Sequence, residues 1–149
     1  MKRNNSLSQT LFYGIFILGF VALLPSCKKE EQLIVGTWRI DKIEARYGGT
    51  GEWENEPGNC SVGAVEEYEK SGKYTYYPAP GNPCPGSSGM PSFGTYRFTA
   101  SGTKLMFTYD DSWGEYDKSV ESITKNTMIL SHNTGLATGK EYRYTFSKQ

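Results

Sequence analysis

Few residues of this 149-residue chain have types suited to chemistry: one histidine, three cysteines and a cluster of carboxylates. The carboxylates are Asp110, Asp111, Glu115 and Asp117, in "YDDSWGEYD". Oxygen ligands of that kind hold Ca²⁺, but their spacing is not that of an EF-hand loop. A solvated hairpin turn is the simpler reading. His132, in "ILSHN", follows what reads as a strand end and is expected in a surface loop. Neither CxxC nor HxxxH spacing occurs, so no zinc site is indicated. There is no G-x-S-x-G elbow, and "GGTGEWE" lacks the lysine and helix of a phosphate loop. Without a nucleophile–base pair, the chain reads as a non-enzyme, with no catalytic residue, no metal and no cofactor.

The cysteine count is odd, and Cys27 accounts for it. Lys2 and Arg3 precede an uncharged run of 14 residues, 11–24. A transmembrane helix needs about 20 apolar residues, so the run suits the h-region of a secretory signal; a retained N-terminal anchor is the alternative. The segment Leu24, Pro25, Ser26, Cys27 resembles the lipobox of bacterial lipoproteins, with Pro25 where a small residue is usual. That resemblance implies cleavage after Ser26 and acylation of Cys27. Each buried CH₂ contributes about 0.8 kcal/mol, so several acyl chains hold a protein on a bilayer almost permanently. Cys60 and Cys84 then remain as a pair in an exported chain, where disulfides persist. Two free thiols are the alternative.

The elements that must position these groups are β-strands. The chain has 11 Tyr, 7 Phe, 3 Trp and 17 Gly, a vocabulary of sheets and turns. Without Lys2 and Arg3, 14 basic residues face 16 acidic ones. No basic stripe runs among the aromatics, so nucleic acid is not an expected partner. "IVGTWRIDKIEARY" reads as a first strand with Trp38 and Ile40 on one face. The pattern then moves to Ile43, Ala45 and Tyr47, which predicts a bulge. Residues 65–69 and 73–77 flank a Ser71-Gly72 turn, and two further hairpins turn at Ala100-Ser101-Gly102 and Lys125-Asn126. "KEYRYTFSK" is a last strand with Tyr142, Tyr144 and Phe146 on one face. About eight short strands in an antiparallel meander can close into a barrel or flatten into a sandwich. No mature segment shows a helical period.

"GTW", at Gly36-Thr37-Trp38, is similar to the GxW motif of lipocalins. Cys60, "SGKYTY" at 71–76, Cys84, "GTY" at 94–96 and the strand from Tyr142 to Phe146 follow in the order seen in lipocalin-like lipoproteins of Bacteroidetes. The resemblance covers residues 33–149. It implies an all-β fold: a small eight-stranded up-and-down barrel over 33–149, after a signal peptide (1–26) and a lipidated, charged tether (27–32). It also implies that Trp38 plugs the closed end, with Arg143 as the candidate cation stacked on it. An eight-stranded barrel either holds one small ligand or is filled by its own side chains. The residues expected at an apolar or aromatic ligand are Trp38, Tyr74, Tyr76, Tyr96, Phe98, Phe107, Tyr142 and Tyr144. The alternative is a surface module that recognises a protein or glycan through loop aromatics such as Trp53, Tyr77 and Trp113. "CKKEE" resembles the signal for display at the outer-membrane surface, with a periplasm-facing anchor as the alternative.

Overall fold

The computed structural model of the chain describes residues 27–81, 84–85, 88–99, 102–110, 114–135 and 139–149. The expected signal segment 1–26, the turn residues Ala100 and Ser101, and Asp111 and Trp113 lie outside them. The elements are α1 (Cys27–Ile34), β1 (Gly36–Tyr47), β2 (Glu54–Asn55), β3 (Val65–Tyr68), β4 (Lys73–Tyr77), β5 (Ser92–Phe98), β6 (Lys104–Tyr109), β7 (Glu115–Ile123), β8 (Thr127–Asn133) and β9 (Lys140–Lys148).

All pairings are antiparallel. The strands from β3 to β9 each pair with the next, β1 pairs with β3, and β9 returns to β1. The result is a closed eight-stranded barrel, not a sandwich. Closure removes the unpaired edges that an open meander would expose. β2 is an addition outside the ring, paired with Glu44 and Ala45 of β1. The predicted bulge is present: the β1–β9 register shifts between Ile40 and Lys42. It carries the inward face from Trp38 and Ile40 to Ile43 and Ala45, all of them buried. Tyr47, beyond them, is exposed. The Ser71-Gly72 turn is also present, with Gly72 at a φ of 86° that favours glycine.

One end of the barrel is filled. Trp38, Phe107, Phe146, Leu105, Leu130 and Met128 are each fully buried there, together with Ile34 of α1. Each such side chain contributes about 1.5–3 kcal/mol by leaving water. α1 was not foreseen: residues 27–32, read as a tether, lie within it. Its Lys, Glu, Gln and Leu are good helix formers, but eight residues are too few for a period to show. Tertiary contacts hold it. The Trp38 indole N–H donates to the Ile34 carbonyl at 2.7 Å. Lys148 donates to the Val35 carbonyl at 2.8 Å, just past the helix end, where a cation is favoured. The same ammonium lies 4.9 Å from the centre of the Trp38 ring. Lys148, not Arg143, is therefore the cation on Trp38. Gly36 opens the path for it: a Cβ there would come within 2.7 Å of Lys148 Cε, and its φ is 133°.

Candidate functional site

The opposite end of the barrel is open and contains a cavity of about 560 Å³. That volume falls within the rough 300–1,000 Å³ range of small-molecule sites. Its wall comes from the far ends of the strands: Tyr74 and Tyr76 of β4, Tyr109 of β6, Tyr116 and Lys118 of β7, His132 of β8 and Tyr144 of β9. Two connecting segments form the rim. Pro78, Pro85, Ser88 and Met90 come from the β4–β5 connection, and Ser61 from the β2–β3 connection. A disulfide between Cys60 and Cys84, with Cα atoms 5.0 Å apart, ties these two segments together at the mouth. The Tyr76 hydroxyl reaches Ser61 Oγ at 3.5 Å, beside the disulfide.

The floor carries charge. Glu66 of β3 and Lys118 of β7 point inward and are almost wholly buried. Lys118 Nζ donates to Glu66 Oε1 at 2.9 Å, and the buried Tyr68 hydroxyl donates to Glu66 Oε2. Around the ammonium stand aromatic rings, with Phe107 and Tyr144 each centred 5.1 Å away. Burial is the largest influence on the Lys118 pKa and would lower it, but the Glu66 carboxylate, together with the neighbouring Tyr144 and Tyr109, more than offsets it, and the net shift is upward. The amine is thus held protonated and is no nucleophile.

The walls carry phenols. Tyr109 and Tyr116 stack at 5.6 Å, and their hydroxyls are 3.2 Å apart. Phe107 stacks under Tyr116 at 4.9 Å. Tyr74 meets Tyr109 edge to face at 5.9 Å. Its hydroxyl is buried and makes no hydrogen bond of sound geometry among the described residues. Burial pushes the phenol pKa values of Tyr74, Tyr109, Tyr116 and Tyr144 above their usual range, so these groups are neutral donors. His132 is in β8, half-buried on the cavity wall, and not in a surface loop. Its Nδ1 lies 2.8 Å from the Asp117 carbonyl. A carbonyl only accepts, so Nδ1 carries the proton.

Of the residues expected at a ligand, the cavity brings together Tyr74, Tyr76 and Tyr144. Trp38 and Phe107 belong to the filled end and the floor. Tyr96 and Phe98 line a separate groove beside Glu31 and Gln32 of α1. Tyr142 packs on Tyr144 at 6.3 Å without lining the cavity. Glu66, Lys118, Tyr109 and Tyr116 were missed, although alternation along β3 and β7 from Tyr68 and Tyr116 points both charged residues inward.

The outer wall explains the other candidates. Trp53 lies against the guanidinium groups of Arg46 and Arg143, 4.4 and 4.7 Å from its ring centre. Arg46 is paired with Glu141 and Arg143 with Glu44. Burial works against ionised Glu44, but its hydrogen bonds from Lys42 and Arg143 prevail and lower its pKa. Trp53 is thus a packed lid over β1 and β9 instead of a free loop aromatic. Tyr77, at the end of β4, is exposed and bonds Glu67 at 3.2 Å. Of the carboxylates expected in a solvated turn, Glu115 and Asp117 lie instead in β7, where Asp117 pairs with Lys104 and Glu115 approaches Arg97.

The model of the lipocalin-like domain family matches residues 34–130. Two solved structures, of apocrustacyanin C2 and apocrustacyanin C1, each share 13% identity with the chain. Each match has a TM-score of 0.47 and covers 83% of this chain and 69% of the other. No curated protein matches the sequence.

Proposed function

The chain belongs to the lipocalin-like domain family, and we propose that it is a lipid-anchored binding protein that carries one small aromatic or apolar molecule in its barrel. The observation that carries this reading is the half-filled interior: one end packed solid, the other holding a cavity of about 560 Å³ rimmed by a disulfide-tied loop. Binding is favoured over catalysis because the ionisable groups on the floor are engaged with one another and Lys118 is protonated. Native mass spectrometry of the protein purified from its own organism tests the proposal. One co-purifying small molecule, released by denaturation, is the expected result. A homogeneous ligand-free mass that also refuses planar aromatic probes would overturn it.

The anchor in this proposal is acylated Cys27, the first residue of α1. An eight-residue helix is about 12 Å long, and α1 docks on the filled end. The filled end would then face the bilayer and the mouth would face away from it. Ligand would exchange with the aqueous side and not with the supporting membrane. Cells fed an alkyne fatty acid should label the wild type and not Cys27→Ser; equal labelling of the two would remove the anchor from the proposal.

A further inference from the structure

The chemistry of the cavity narrows the ligand class, and this step rests on the carrier reading above. Three hydroxyls, of Tyr74, Tyr109 and Tyr116, gather on one wall. Three neutral hydroxyls hold three protons. The Tyr109–Tyr116 contact at 3.2 Å uses one of them. Tyr74, only 2% exposed, sits against the Tyr109 and Tyr116 hydroxyls but makes no hydrogen bond of sound geometry among the described residues. The wall therefore has hydrogen-bond donors to spare, and a buried donor left unmade is costly. The charged groups have nothing to spare. Both oxygens of Glu66 are engaged, by Lys118 and by Tyr68, and Lys118 is matched one-to-one by Glu66. A ligand carboxylate entering here would lose its water, meet the Glu66 charge and find no unmatched cation. Tyr109 and Tyr116, stacked on each other, both line the cavity and give it an aromatic wall along which a flat partner can lie.

We propose that the cavity selects uncharged, planar ring compounds carrying an oxygen acceptor, which the hydroxyls of Tyr74, Tyr109 and Tyr116 recognise, and that it rejects fatty carboxylates. The oxygen of a ketone, quinone or ether accepts a hydrogen bond from this wall, while the ring lies along the stacked tyrosines. His132, with its proton fixed on Nδ1 toward Asp117, leaves Nε2 as the complementary acceptor for a ligand hydroxyl.

A matched probe series decides the matter. The detergent-solubilised full chain is titrated with 9-fluorenone, fluorene, 9-oxofluorene-4-carboxylate and palmitate, followed by calorimetry. Fluorenone and fluorene differ at one position, a C=O in the first against a CH₂ in the second. Fluorenone should bind most tightly, by about three- to tenfold over fluorene, the range of one net neutral hydrogen bond. The two carboxylates should bind at least tenfold more weakly than fluorenone. Tyr74→Phe, which keeps the ring and removes the hydroxyl, should abolish the preference for fluorenone and leave fluorene unchanged. Tyr109→Phe is the second variant, should Tyr74→Phe fold poorly. Equal binding of fluorenone and fluorene, or preference for either carboxylate, overturns this inference and leaves the carrier reading standing. Binding of none of the four overturns both.

Discussion

The Glu66–Lys118 pair offers the sharpest test of how this barrel is held together. Glu66→Gln keeps the shape of the side chain and removes its charge. The amide has one carbonyl oxygen where the carboxylate had two acceptors. If that oxygen takes the Tyr68 hydroxyl, the amide N–H₂ faces Lys118 Nζ, which sat 2.9 Å from Glu66 Oε1. Either way a protonated amine is left in a site almost closed to water. Breaking a buried ion pair from one side costs about 3–5 kcal/mol, a large part of the total stability of a domain this size. The pH dependence has a definite sign. In the wild type the Lys118 pKa is raised: burial, the largest influence, lowers it, but the Glu66 carboxylate and the neighbouring phenols together more than offset that. A raised lysine contributes stability that is fully present below its unfolded pKa of 10.5 and is lost as pH climbs through the folded value. In Glu66→Gln the carboxylate's contribution is gone and burial, which acts the other way, prevails, so the variant bears a cost at neutral pH that fades as pH rises toward 10.5. The gap between the two proteins should therefore be wide at pH 7, narrow by pH 10.5 as the variant's cost fades, and close only above the raised folded pKa of Lys118. Urea unfolding followed by tryptophan fluorescence, at pH 7 and pH 10.5, measures it. Adding Lys118→Met to Glu66→Gln removes the stranded charge and should restore more than half of the loss at pH 7. A single-variant cost under about 1 kcal/mol at pH 7, or a double variant worse than the single, would refute the reasoning.

Gly94→Ala should destabilise strongly, by about 2–4 kcal/mol, because its Cβ would sit 2.3 Å from the Thr108 carbonyl oxygen, across the β5–β6 pairing; a melting temperature within a degree of wild type would contradict the register. Reducing the Cys60–Cys84 disulfide should lower stability by roughly 3–4 kcal/mol, and non-reducing peptide maps should recover the crosslinked pair. Protease digestion of the rim connections should quicken in the reduced protein while the filled end stays protected; uniform digestion would speak against a local role. Intact cells treated with proteinase K should lose the protein if the domain is displayed outward, with protection after Glu30→Ala and Glu31→Ala; protection of the wild type, while a known surface protein is cut, would place it facing the periplasm.

Much of the barrel is legible in the sequence because its turns and strands are short and local. Gly72 between two alternating runs predicts a hairpin, and the slip from Ile40 to Ile43 predicts the bulge. Two cysteines left over once Cys27 is set aside, in a chain expected to be exported, predict the Cys60–Cys84 disulfide. The site is less legible, for a reason that Glu66 makes plain. A charged residue in a strand is read as facing water, and only the alternation through Tyr68 says otherwise. Lys118 hides in the same way behind Tyr116. Arg143 against Trp38 fails on parity: Tyr142 and Tyr144 point inward, so Arg143 points out, where it meets Glu44 and Trp53. Lys148, two residues beyond Phe146, was available on the inward face. α1 has no period to detect and is fixed by contacts from β1 and β9.

The position of the ion pair ties these observations together. Stability alone does not call for it, since well-packed apolar residues of similar volume often serve as well or better. Glu66 and Lys118 lie where the filled end gives way to the cavity, with Phe107 and Phe146 on one side and Tyr116 and Tyr144 on the other. Apolar side chains at these two positions would extend the packed core toward the mouth. The pair instead ends the core with a floor that is polar yet neutral overall. A neutral floor neither attracts nor pairs with an ionic ligand, while the phenols above it keep donors to spare. The same two residues that strand a charge in Glu66→Gln thus set the depth of the cavity and the charge of what fits it.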